Sequence, residues 1–368
     1  MKMKIAIFHN FIDNIGGAEI VALTLARELK ADLYTTNFDL EKIKKMGFCG
    51  IRVISIGKVP INAPFRQQMA LWKFKKLNLG KKYDFYIIAG DWAISGAVNN
   101  KPNLEYFHSP LNEIWEFKDY IRNEQLSFWK RPFFDVWVWY NRKMYEKYFK
   151  YVEKRICNSE NTRKRIKKYL NSDAVVINPP VDTSKYKYKK TGEFWLSVNR
   201  LFTHKRVDMQ MKAFSKLPDE KLIVVGCYES SRTFREHADY LKKIKPKNVE
   251  ILSWITDKEL KELYANCKGF ITTSKDEDFG LAPVEAMASG KPVIAANEGG
   301  YKESVIQEKA GILIDDINEN KLAEAIKKLS SELKNKRNQE KFKKACQKQA
   351  KKFDVKIFIK KIKKQIES

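Results

Sequence analysis

Apolar residues along the chain gather into short β-branched or aromatic runs, separated by longer stretches in which they recur every three or four positions. In the first half the runs are Ile5 to Phe8, Leu33 to Thr35, Val53 to Ile56, Phe85 to Ala89 and Leu104 to His108. Their alternation with helical patterns predicts parallel strands joined by crossover helices. The rhythm restarts with Phe194 to Val198, Leu222 to Gly226, Val249 to Leu252, Phe270 to Thr273, Val293 to Ala295 and Ile312 to Ile314, with helical patterns near 206–217, 257–266 and 282–289. Two α/β units in tandem follow. Between them Asn178-Pro179-Pro180-Val181-Asp182 and a lysine-rich run to Gly192 break both periodicities, as a domain linker does.

Thr256-Asp257-Lys258-Glu259 reads as a capping box that opens the helix carrying Leu260, Leu263 and Tyr264. At the C-terminus Val355, Phe358, Ile359, Ile362 and Ile366 form a stripe at helical spacing, which predicts a terminal helix packed on a domain. A length of 368 residues with 43% hydrophobic residues supports two cores, and 16 Gly with 11 Pro exclude collagen-like and low-complexity classes.

Charge adds a second theme. The formal net charge is +26, and the segment from Lys321 onward holds 17 basic and five acidic residues. Such a field attracts polyanions or an anionic lipid surface, although a solvated helical face explains the terminal segment equally simply. The five cysteines stand singly, without a CxxC pair, and fit a reducing cytoplasm better than a disulfide framework or a zinc ribbon. The apolar start, Ile5 to Phe8, is too short for an export signal. Phe128 to Phe149 carries ten aromatics, but seven charged residues interrupt it, so it predicts no spanning helix.

Three clusters offer chemistry. Gly16-Gly17-Ala18-Glu19 follows the first strand and opens a helix, where bare backbone amides and the helix dipole favour an anion. Arg200 and Lys205 follow the strand ending at Val198; one supplies a planar fork of donors and the other a compact charge, a combination suited to a diphosphate. Ligands of open α/β sheets lie beyond the carboxyl ends of strands, which is where this pair falls. Glu277 lies on an acidic strand-end loop and Glu285 inside the following helix, closed by Gly290. Placed apart on one site, these carboxylates suit a polyhydroxylated ligand with sugars at both ends.

In this respect the sequence resembles the family 4 retaining glycosyltransferases. The resemblance rests on Gly16-Gly17-Ala18-Glu19, His108-Ser109-Pro110, Asn158-Ser159, Asn178-Pro179-Pro180-Val181-Asp182, Arg200 with Lys205, Glu277 through Gly290, and Gly299-Gly300 with Glu303. It implies the GT-B architecture: two Rossmann-like domains whose parallel sheets face a central cleft, residues 1–182 for the acceptor and 183–352 for the donor, with a helix at about 353–368 crossing back. It further implies that Arg200 and Lys205 hold the donor diphosphate, aided by the amides of Gly280 and Leu281, by Phe279 in the same loop, and by Gly16 and Gly17. Glu277 would accept from donor-sugar hydroxyls and Glu285 from the ribose. His108 would contact the transferred sugar, and Trp254 and Ile255 would meet the base through their backbones. No metal and no cofactor is implied. The segment Tyr106 to Leu111 with Trp115, together with Asp278 to Glu285, is most similar to mannosyltransferases that use GDP-mannose to build O-antigen or lipopolysaccharide glycans on lipid-linked acceptors. The expected setting is peripheral, at the cytoplasmic face of an anionic membrane.

Where the family often has Asp-Gly-Pro after a strand, this chain has Cys227-Tyr228-Glu229-Ser230-Ser231, which leaves donor contacts there open. Other readings are a UDP-sugar donor; a metal-chelating Asp276-Glu277-Asp278, disfavoured by its helix context; and a nonenzymatic nucleic-acid binder, motivated by charge and aromatics alone. No nucleic-acid partner is expected.

Overall fold

The computed structural model describes residues 3–14, 16–61, 65–226, 232–253 and 255–368. The chain divides into two compact units, Met1–Asn178 with Phe358–Ser368, and Pro179–Ile357.

The first unit contains strands β1 (Ile5–Phe8), β2 (Phe11–Ile12), β3 (Asp32–Thr35), β4 (Asn37–Phe38), β5 (Val53–Ser55), β6 (Phe85–Ile88), β7 (Asn103–Phe107), β8 (Lys154–Cys157) and β9 (Val175–Val176). Seven of them form one sheet in the order β5-β3-β1-β6-β7-β8-β9, every pair parallel. Every residue of β1, β6 and β7 is buried because the connections cover both faces, so β1 and β6 are apolar throughout rather than alternating, while β7 also buries Asn103 and Glu105. The helices are α1 (Gly17–Leu29), α2 (Leu40–Lys45), α3 (Phe65–Lys76), the single turn α4 (Lys118–Tyr120), α5 (Arg131–Phe149) and α6 (Glu160–Leu170), with a 3-10 helix at Asp91–Val98. Phe8 is the aromatic centre of the core, 5.7 Å from both Phe74 and Tyr86 and 6.0 Å from Tyr34.

The second unit has strands β10 (Phe194–Val198), β11 (Lys221–Val225), β12 (Val249–Leu252), β13 (Gly269–Thr272), β14 (Val293–Ala296) and β15 (Gly311–Ile314). They run parallel in the order β12-β11-β10-β13-β14-β15. Around them lie α7 (Val207–Ser215), α8 (Arg232–Ile244), α9 (Asp257–Asn266), α10 (Leu281–Ala288), the short α11 (Tyr301–Ser304), α12 (Glu319–Glu332) and α13 (Lys336–Ala350). The capping box expected at Thr256 is present in both its halves and starts α9. The linker is tied to its own unit: Lys291, almost wholly buried, donates to the carbonyls of Lys190 and Cys267 and lies 4.3 Å from the Tyr188 ring centre.

The last helix, α14 (Val355–Glu367), buries the five apolar residues of its stripe. Phe358 meets the Tyr106 ring edge-on at 5.7 Å, and Lys154 donates to the Gln365 carbonyl, which fastens the end of the chain to the first unit. Four strands escape the sequence pattern, the two-residue β2 and β4 among them. In β8 two basic residues lead the strand, one of them Arg155, whose guanidinium lies 4.5 Å from the Phe149 ring centre; β9 is only two residues long.

Both sheets reverse direction of travel between their first and fourth strands, at β1/β6 and at β10/β13. Crevices open at such points beyond the strand carboxyl ends.

Candidate functional site

In the second unit the loop after β10 and the loop after β13 meet at this reversal. Lys205, in a 3-10 turn, donates to Glu277 Oε2 at 2.5 Å, and both side chains are about one-fifth exposed (17% and 20%). Burial alone would raise the Glu277 carboxyl, but the Lys205 charge and hydrogen bond outweigh it and hold it at about 2. The Tyr301 hydroxyl, bonded to Thr272 at 2.6 Å, lies 3.4 Å from the same carboxylate oxygen. Beneath the acidic loop, the Gly300 amide donates to the Glu277 carbonyl at 2.8 Å. A Cβ at Gly299 or Gly300 would come within 2.3 or 2.4 Å of that loop's backbone, so only glycines permit the approach.

Arg206 braces the arrangement from the other side. It takes a left-handed φ of 52°, donates from Nε to the Thr273 carbonyl at 2.5 Å, and pairs with Glu298 at 2.9 Å. Sequence reasoning passed over it, and only its position next to Lys205 could have signalled it. His204 is held down to about 4 by burial and by the neighbouring Lys205 and Arg200 charges. Arg200 therefore lies beside this cluster.

Gly280 starts α10 at φ +83°, where an added Cβ would sit 2.6 Å from Tyr301 Cε1. Leu281 follows in the first turn, half-buried. The Phe279 ring is 2% exposed and packs 5.3 Å from Phe353, which anchors the loop in the core. One turn into α10, Glu285 accepts from the Tyr264 hydroxyl at 2.9 Å. Its carboxyl is raised by burial, against the lowering effect of the Tyr264 and Tyr186 hydroxyls. Ile255 is half-buried before α9, while Trp254 and Cys227 to Ser231 lie outside the described residues.

In the first unit three strand ends converge on one atom. The Ala89 carbonyl, just past β6, accepts from His9 Nδ1 at 2.7 Å and from His108 Nε2 at 3.1 Å. A carbonyl only accepts, so both ring nitrogens carry hydrogen, and the acceptor of the His108 ring is its Nδ1. Burial, reinforced by His9, lowers His108 to about 3, and burial lowers His9 as well. Both imidazoles are neutral. His9, absent from the sequence argument, occupies after β1 the place that Asn199 takes after β10.

The backbone of His108 is held just as firmly. Its carbonyl accepts from Asn158 Nδ2 at 2.6 Å and from Thr162 Oγ1 at 3.3 Å. Ser159 caps α6 through the Thr162 amide, and the buried Arg165 reaches Ser109 Oγ at 2.9 Å. Asn158-Ser159 thus supports the His108-Ser109-Pro110 loop. Gly16 caps α1 in an extended conformation without a side-chain bond, and Gly17 is exposed.

Residues 180–353 match the family described as "Glycosyl transferases group 1", and residues 15–185 match "Glycosyltransferase Family 4". An alpha-1,3/1,6-mannosyltransferase ALG2 of Dictyostelium discoideum is 31% identical over 179 residues, 43% of this chain and 41% of that protein. The Candida glabrata ALG2 is 26% identical over 377 residues, 83% of this chain and 78% of that protein. Against three of the curated relatives the chain spans about half of their length or less, 41%, 52% and 39%. Among solved structures, Anabaena Alr3699/HepE in complex with UDP and glucose superposes with a TM-score of 0.77 at 19% identity, covering 100% of both chains. The fold is GT-B, with two α/β domains of parallel sheet.

Proposed function

We propose that this chain, carrying the two domains of a family 4 glycosyltransferase, is a retaining, metal-independent hexosyltransferase. It moves mannose from GDP-mannose to a hydroxyl of a glycan or lipid-linked oligosaccharide in cell-surface polysaccharide synthesis. It works as a peripheral protein at the cytoplasmic face of an anionic membrane. The observation that carries the reading is the Lys205–Glu277 pair at the β10/β13 reversal, a cation for phosphate beside a carboxylate for hydroxyls. The likeness to ALG2 mannosyltransferases supports the choice of sugar.

Cleaving the bond from anomeric carbon to diphosphate builds negative charge on the leaving oxygen. Lys205 and Arg200 stabilise that charge, Lys205 as a compact ammonium and Arg200 as a fork of donors. Glu277, ionised at about 2, accepts from sugar hydroxyls across the physiological range, and Glu285 accepts from the ribose. His108 does not act as an acid: its Nε2–H is committed to Ala89, and its neutral ring offers Nδ1 as an acceptor for a sugar hydroxyl. The acceptor hydroxyl attacks on the face that the diphosphate leaves and loses its proton toward the departing phosphate. No carboxylate nucleophile is assigned.

A UDP-sugar donor is the second reading, favoured by the UDP and glucose in the HepE complex. Nucleotide release from GDP-mannose, UDP-glucose, UDP-galactose and UDP-N-acetylglucosamine separates the two. GDP-mannose is expected to turn over fastest, and a clear preference for a UDP-sugar overturns the mannosyl assignment. Salt-sensitive gel shift of oligonucleotides without turnover of any sugar nucleotide would favour the nucleic-acid reading instead.

A further inference from the structure

Helix α5 carries two different aromatic faces. One is core: Val138, Tyr145, Tyr148 and Phe149 are buried, and the Tyr145 ring meets Trp115 edge-on at 5.2 Å. The other is uncovered. Phe133, Val136 and Trp139 are 74%, 65% and 63% exposed, and in the turn leading into the helix Phe128 and Trp129 are 79% and 57% exposed. Continuing at the same spacing of three and four, Lys143, Lys147 and Lys150 occupy the outward face of the last turns, also exposed. One helix face therefore runs from aromatic to basic along its length.

A second helix extends the aromatic end. Trp72 of α3 is exposed, with the Lys76 ammonium 3.5 Å from its ring centre. It shares with Tyr140 of α5 a pocket of about 200 Å³, and the two helices are bonded through Gln68 and Asn141 at 3.1 Å. Glu146 pairs with Lys143, whereas Lys147 and Lys150 enter no ion pair among the described residues. No helix among the described residues is long and apolar enough to cross a membrane.

We propose that this face of α5, with Trp72 of α3, docks on an anionic lipid bilayer. The Phe128, Trp129, Phe133 and Trp139 side chains enter the boundary between headgroups and acyl chains, and Lys147 and Lys150 meet lipid phosphates. The two tryptophans, each an apolar body with an indole N–H, favour that boundary, the two phenylalanines add apolar area to the same face, and lysines at its far end are complementary to an anionic headgroup layer. The proposal rests on the reading of a membrane-borne acceptor and names the surface that would bring the enzyme to it.

The test uses the full chain and two variants, W129S/F133S/W139S and K147E/K150E. Each is sedimented with neutral phosphatidylcholine vesicles and with vesicles containing about 30 mol% phosphatidylglycerol, at about 50 mM and about 500 mM salt. The parent is expected to bind the anionic vesicles at low salt and to release at high salt. Each basic residue near an anionic surface is worth about fivefold in affinity, so K147E/K150E should bind at least about 25-fold more weakly. The aromatic variant should bind the anionic vesicles more weakly than the parent at low salt, and circular dichroism should match the parent for both. Variants that bind as the parent does, or a parent that ignores lipid charge, overturn the proposal. So does a concentration-dependent dimer that the aromatic variant abolishes without any vesicle binding, which would give the face to a second copy. Nucleotide release from a sugar nucleotide, measured without vesicles, should be equal in all three proteins. Failure of release in all of them with vesicle binding intact would defeat the transferase reading and leave this surface standing.

Discussion

Replacing Lys205 by methionine keeps an unbranched apolar stem, one atom shorter, and removes the charge facing Glu277. In the parent the Glu277 carboxyl is held at about 2 against an ordinary 4.5. Each unit of such displacement is worth about 1.4 kcal/mol, so the fall corresponds to roughly 3 kcal/mol. Both side chains are 17 to 20% exposed and partly screened by water, which brings the expected loss to about 2 kcal/mol near neutral pH. The sign with pH follows from the lowered carboxyl. The stabilisation is complete above 4.5 and disappears as pH falls through about 2. In Lys205→Met burial acts on Glu277 against only the smaller lowering effects of Ser274 and His204, so the carboxyl rises, the variant regains stability by protonation, and the gap to the parent narrows on acidification. Urea unfolding followed by the fluorescence of buried Trp195 should give a larger gap at about pH 7 than at about pH 4.5. Sugar transfer should fall about 100- to 1000-fold, the usual cost of losing a fixed group that meets developing charge. A gap that is absent at about pH 7, or that grows on acidification, refutes the account of the pair.

Gly280→Ala forces a left-handed φ on a residue with a Cβ and drives that atom into Tyr301; a loss of about 1–3 kcal/mol is expected in thermal unfolding, together with weaker transfer. Asn158→Ala removes the 2.6 Å bond to the His108 carbonyl, so kcat should drop about tenfold while KM for the nucleotide sugar holds, because the residue acts through the loop it supports. All four histidines lie below their ordinary 6.5, with His108 at about 3 and His204 at about 4. At these four groups the unfolded chain binds more protons than the folded one once pH drops below 6.5, which removes stability, while the raised carboxyls of Glu105, Glu113 and Glu285 act in the opposite sense; NMR titration showing His9 or His108 protonating near 6.5 would contradict the buried geometry.

The strands of both sheets were largely legible because burial on two faces writes an uninterrupted apolar run, as in Ile5–Phe8 and Phe85–Ile88. β8 was not, since its leading Lys154 and Arg155 escape the core along their alkyl stems while the strand still pairs with β7. Lys205 and Glu277 stood out as charges at strand ends, and their proximity needed only the topology. Arg206 was invisible because its partners lie 67 and 92 residues away and its backbone is left-handed. The Tyr264 and Tyr301 hydroxyls were hidden within rings that read as core. In α5 aromatics occupy every side of the helix, so composition could not separate its buried side from its exposed one.

The convergence of His9 and His108 on the Ala89 carbonyl has a practical meaning for anyone who would re-engineer the first domain. Three loops, each following a different strand, are gauged against one backbone oxygen. A displacement of β1, β6 or β7 along its axis by even a fraction of a residue would be read out as a tilt of the His108 ring. Loop grafts from a relative, chosen one at a time to change specificity, would misalign that ring even if the graft never touches it. The segments after these strands form a single transplantable module and should be exchanged together or not at all.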